Sequence, residues 1–134
     1  MKRMIVNKYG GPESLYRYKN HLLAKTKKLF NNSMGAEIYI YCAGRFGQVF
    51  AKMLANEGFK VKAILDINID THGLSSLGQN ICSPNILCKV SKSRLKNSYI
   101  LICNESKNIV SEIQGQLIHY GLNINQIKYS DLWF

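Results

Sequence analysis

The segment Tyr41-Cys42-Ala43-Gly44-Arg45-Phe46-Gly47 keeps the spacing of G-x-G-x-x-G, with Cys42 standing where the first glycine belongs. A turn of this kind, placed after a strand and opening a helix, brings bare backbone up to a diphosphate. Gly44 would allow that approach, Gly47 would let the helix pack close to the sheet, and the unpaired N–H groups of the first helical turn would bind the anion. Arg45 adds a guanidinium that can pair with phosphate or carboxylate. Asp66 comes 19 residues after Gly47, where a carboxylate can accept from ribose hydroxyls, and Asn68 follows it. The side chain of Cys42 must either loosen the turn or crowd the ligand.

A second group joins these through topology. Cys103 and Asn104 end an apolar run, and in a doubly wound sheet that strand lies beside the one ending at Cys42, so both residues converge on Gly44. A thiol near a helix start would have a lowered pKa and could be reactive. Against this, free cysteine is more often a small buried hydrophobe. The four cysteines form no C-x-x-C pair and read as reduced thiols, and the three histidines have no ligand spacing, so no metal site is expected. Asp66, Asn68 and Asp70 mimic the start of a calcium loop, but Thr71 occupies the glycine position and Leu77 the bidentate glutamate position. No Y-x-x-x-K pair, G-x-S-x-G elbow or His–carboxylate cluster is present, so the residues name no catalytic group.

The elements that must hold these residues follow from periodicity. Ile38 to Tyr41 is β-branched and aromatic and reads as the first strand. Phe46, Val49, Phe50, Met53 and Leu54 keep helical spacing up to Gly58. Val61 to Leu65 is a second strand, residues 67 to 80 a loop, and Ile81-Cys82 a short strand. Ser83-Pro84 resembles a helix entry leading into a weak helix or turn through Val90, and a polar basic stretch runs from Lys89 to Lys96. Tyr99 to Cys103 is a strand, Ile109 to Ile118 an amphipathic helix ending at Gly121, and residues 124 to 129 the last strand. Strands that are apolar throughout, alternating with helices, belong to an α/β fold: a small Rossmann-like parallel sheet with helices on both faces. Leu15, Tyr18, Leu22 and Leu29 place an amphipathic basic helix from Glu13 to about Asn31 ahead of it. The chain therefore divides into an arm and helix at 1–34 and a nucleotide-binding domain at 35–134.

With 134 residues there is room for one such domain and not for a separate substrate domain. The net charge of +10 is concentrated in residues 1 to 34, which hold eight Lys or Arg against Glu13 alone. A basic segment attracts acidic partners, but no nucleic-acid recognition pattern accompanies it, so nucleic acid is not an expected partner. The helix at 13–31 suits packing on the domain, a homodimer or a docked partner. No apolar run approaches the roughly 20 residues needed to span a bilayer, and no secretory signal precedes the cysteines. The expectation is a cytoplasmic protein.

Several motifs together resemble a known group: residues 40–47 above, Gly58-Phe59-Lys60-Val61, Ile64-Leu65-Asp66-Ile67-Asn68, Gly73, Ser83-Pro84 and Ile100-Leu101-Ile102-Cys103-Asn104. They are similar to the small Rossmann-like, CoA-binding-like domains of bacterial surface-polysaccharide biosynthesis, including the N-terminal domains of sugar acetyltransferases. The resemblance implies a nucleotide, nucleotide-sugar or NAD site at Gly44, Arg45, Phe46, Gly47 and Asp66, with the chemistry carried by a partner enzyme of the same pathway. The alternative is a non-catalytic interaction protein with an inert Rossmann-like fold, docking through its basic helix.

Overall fold

The structure is a computed structural model, and it describes residues 23, 24, 26, 28, 35–42, 44–75, 77–104 and 106–129. Its centre is a six-stranded sheet: β1 (Glu37–Tyr41), β2 (Lys60–Leu65), β3 (Gly73–Leu74), β4 (Asn80–Cys82), β5 (Ser98–Ile102) and β6 (Ile127–Tyr129). The spatial order is β3-β4-β2-β1-β5-β6. Every neighbouring pair is parallel except the two-residue edge strand β3, which runs antiparallel to β4. Without that edge strand the order of the parallel strands is third, second, first, fourth, fifth, the doubly wound pattern expected of a Rossmann-like sheet.

The core explains why the central strands are apolar on both sides. Ile38, Ile40, Ile64 and Leu101 pack with Val49, Phe50, Met53 and Leu54 of helix α1 (Arg45–Asn56) on one face. Tyr39, Tyr41, Leu65, Ile100 and Ile102 pack on the other with Val110, Ile113 and Leu117 of helix α3 (Lys107–His119). The helices thus lie on opposite faces, as right-handed crossovers on either side of β1 require. Leu23 is buried in the α1-side cluster, and the four described positions among 23–28 are helical. The remainder of the expected basic helix, with Leu15, Tyr18, Leu22 and Leu29, lies outside the described residues.

Three connections differ from expectation. The stretch 67–80 carries a 3-10 turn, Ile69–Thr71, as well as β3. Within the basic stretch 89–96 a short helix α2 (Lys92–Lys96) forms, capped by Ser91, whose hydroxyl accepts from the Arg94 N–H, and anchored by the buried Leu95. Residues 124–126 are a 3-10 turn, so the last strand begins only at Ile127. In each case a local cap or a single buried side chain, rather than an apolar period, sets the conformation. No helix among the described residues is long and apolar enough to cross a membrane.

Candidate functional site

The C-terminal ends of four neighbouring strands bring the chemistry-bearing residues into one row. The Cys42 N–H donates to the Leu65 carbonyl at 2.8 Å, the Cys103 N–H to the Tyr41 carbonyl at 3.0 Å and the Asp66 N–H to the Cys82 carbonyl at 3.0 Å. Cys103-Asn104, the glycine turn, Asp66 and Cys82 therefore succeed one another along the edge of the sheet. The chain winds away from β1 in both directions, so this is the topological switch point where α/β sheets hold ligands.

The residue that replaces the first glycine takes a backbone angle that favours glycine. Cys42 has φ of 91°, the left-handed region that a residue with a Cβ adopts at a cost of about 1–2 kcal/mol. Its side chain also leaves the alternation of the strand. Ile38 and Ile40 face α1, and Cys42 would follow them, yet it packs with Tyr41 on the α3 side. There the Asn104 amide donates to its sulfur at 3.8 Å, while the Asn104 Oδ1 accepts from the Ser106 N–H at 2.8 Å. The thiol is thus turned to the face opposite α1.

The two glycines have different reasons to be glycine. A Cβ on Gly47 would collide with the carbonyl oxygen of Cys42, so close packing of α1 on the turn demands glycine there. Gly44, the N-cap of α1, has φ of −65° and ψ of 171°, which any residue can adopt, and a Cβ there would meet nothing within 4 Å among the described residues. Arg45 and Phe46 are the first two residues of α1, while Ala43 lies outside the described residues. The first bond of the helix runs from the Gln48 N–H to the Gly44 carbonyl at 3.0 Å, so the amides of residues 45–47 precede the ladder. No acidic residue occupies the first turn of α1, so the helix supplies no counter-charge of its own to the positive end of its dipole.

Asp66 is fixed from several directions. Its Oδ1 accepts from the Asn68 N–H at 2.9 Å, and its carbonyl accepts from His72 Nε2 at 2.7 Å, which assigns the ring proton to Nε2. Asn68 turns its own Oδ1 to the Asp70 N–H at 3.1 Å and caps the 3-10 turn. His72 was absent from the sequence-based site: a lone loop histidine carries no signal that it will anchor a carbonyl six residues back.

Of the two readings of these thiols, the structure supports the buried one. Burial pushes Cys42 up to about 11; the hydrogen bond from Asn104 opposes this and the nearby Asp66 charge adds to it. Burial raises Cys103 as well, with Cys42 contributing in the same direction. Desolvation of the thiolate outweighs the helix dipole, so neither sulfur is a thiolate at neutral pH. Among the described residues no group of three or more His, Cys, Asp or Glu is placed to hold a metal ion.

No protein-family model and no curated protein matches the chain. Solved structures do share its fold. A complex of RSP with beta-NADH superposes with a TM-score of 0.55 at 18% identity, covering 95% of this chain and 73% of that one. A structure of RSP described as a Rex-family repressor gives 0.56 at 18% identity, covering 97% and 74%. At this identity the likeness is one of fold, a Rossmann-like domain. None of these comparisons links the chain to surface-polysaccharide biosynthesis.

Proposed function

We propose that the chain is a nucleotide-binding module with NAD(H) as its ligand, held at the turn 42–47 and at Asp66. The observation that carries this reading is Gly44. Neither its backbone angles nor its neighbours among the described residues require glycine, and among those residues the space where its side chain would stand, at the α1 N-terminus, is open. A diphosphate in that space would accept from the amides of Arg45, Phe46 and Gly47 and would neutralise the end of the helix dipole. The ribose hydroxyls would donate to the Asp66 carboxylate, which the Asn68 and His72 contacts hold at the end of β2. The fold shared with an NADH-bound protein supports NAD(H) over other nucleotides.

A thermal-shift panel with NAD+, NADH, NADP+, UDP and UDP-sugars tests the reading. Ligand at 100 times its dissociation constant stabilises by about 2.7 kcal/mol, a shift of several degrees at this size. The shift is expected with NAD+ or NADH and to be lost in Asp66→Ala. A shift with UDP-sugars alone would move the assignment to a nucleotide-sugar, and a flat panel with a cooperative melt would remove the site altogether.

A further inference from the structure

A cavity of about 370 Å³ opens at the end of the sheet away from the turn at residues 42–47, where β5 and β6 begin. Among the described residues its lining is Lys96, Tyr99, Asn123, Asn125, Gln126 and Lys128, two cations and three amides with no carboxylate. Neither lysine forms an ion pair among the described residues; Glu37, an acid at this end of the sheet, is taken by Arg94 at 3.0 Å. Lys128 instead holds its ammonium 5.7 Å from the centre of the Tyr99 ring, which fixes it against one wall.

The floor is rigid. Gln126, only 7% exposed, donates from Nε2 to the carbonyls of Leu95 at 2.7 Å, Ser98 at 2.8 Å and Lys96 at 3.3 Å. Its Oε1 accepts from the Asn123 N–H at 2.9 Å. One amide thus ties the end of α2, which carries Lys96, to the turn that carries Asn123 and Asn125. Two like charges lining one cavity repel, and an anion between them would relieve the repulsion. We propose that this cavity binds a small anion of the phosphate class, independently of the turn at residues 42–47. Compact ammonium charges with the side-chain amides of Asn123 and Asn125 as neutral donors suit a phosphate group, while Gln126 directs its own donors into the floor. The volume matches the lower end of small-molecule sites, leaving room for what the phosphate is attached to.

The test is an amide-resolved NMR titration of the full chain with inorganic phosphate and with glucose 6-phosphate, at ionic strength held constant with sodium chloride. Saturable shifts at Lys96, Asn125 and Lys128 are expected, weakened at least tenfold in the Lys96→Gln/Lys128→Gln double variant and unchanged in Gly44→Asp. Tighter binding of glucose 6-phosphate assigns the spare volume to the attached sugar, whereas tighter binding of phosphate assigns the site to the free anion. Should the double variant not fold, Asn125→Asp places a carboxylate on the exposed wall and must produce the same loss. Shifts that fail to saturate, that sodium chloride reproduces, or that survive in the variants would overturn the proposal.

Discussion

The carbonyl oxygen of Cys42 fills the space that a side chain on Gly47 would need, so the turn after β1 and the first turn of α1 are packed backbone against backbone. Gly44, three residues earlier, faces open space. These two glycines separate a packing requirement from a ligand requirement. Gly47→Ala should destabilise the fold by about 1–3 kcal/mol, because the turn or the helix must shift. Gly44→Ala should stay within about 0.5 kcal/mol of the parent yet weaken NADH binding about tenfold or more. Urea melts and NADH titrations on both variants check this; equal effects on stability would show that the two glycines play one role.

Cys42 stores strain that glycine would release. With φ of 91°, Cys42→Gly should be more stable than Cys42→Ala by about 1 kcal/mol, since alanine loses the sulfur and keeps the strained angle. Comparing those two variants cancels the lost thiol contacts. Chemical denaturation measures the difference, and alanine proving the more stable would mean that the left-handed angle is not maintained in solution.

The thiols set an alkaline limit. An unfolded cysteine loses its proton near 9.0, whereas folded Cys42 holds it to about 11, so between those values the unfolded chain binds fewer protons and stability falls as pH rises. Two pH units correspond to about 2–3 kcal/mol from this group. Stability measured from pH 8 to 11 should drop, and less steeply in Cys42→Ala. At pH 7.5 iodoacetamide should modify the exposed Cys88 well before Cys42 or Cys103.

Much of the framework was legible in the sequence because parallel strands covered on both faces leave unbroken apolar runs, as at Ile38–Tyr41 and Ile100–Ile102. The meeting of Cys42, Cys103 and Asn104 followed from strand order, and β1 does pair with β5. Helix α2 was not legible, because its residues are polar and its stability comes from the Ser91 cap and from Leu95 alone. The backbone angle of Cys42 was hidden for another reason. A residue type states a preference, and here packing of Gly47 on the Cys42 carbonyl overrides it. The raised thiol pKa values depend on desolvation, which is set by the assembled sheet rather than by nearness to a helix start.

Gln126 should be among the costliest polar residues to replace. Gln126→Leu removes the donor from the carbonyls of Leu95, Ser98 and Lys96, at an expected cost of about 1–3 kcal/mol. Gln126→Glu aims a carboxylate at the same carbonyls, so it should be worse at pH 7 and recover in acid as the carboxyl regains a proton. Thermal melts of both variants at pH 5 and pH 7 would show the crossing, and two pH-independent losses would mean that the amide acts only as bulk.

The most direct measurement is calorimetric titration of NADH into the parent chain and into Gly44→Asp. A side chain and a negative charge at residue 44 would occupy the space in front of the α1 amides while leaving the packing at Gly47 intact. The account predicts one saturable site in the parent, no detectable binding in the variant and melting curves that agree within a few degrees. Saturable binding that survives Gly44→Asp, or a well-folded parent that takes up no nucleotide at millimolar NADH, would contradict it.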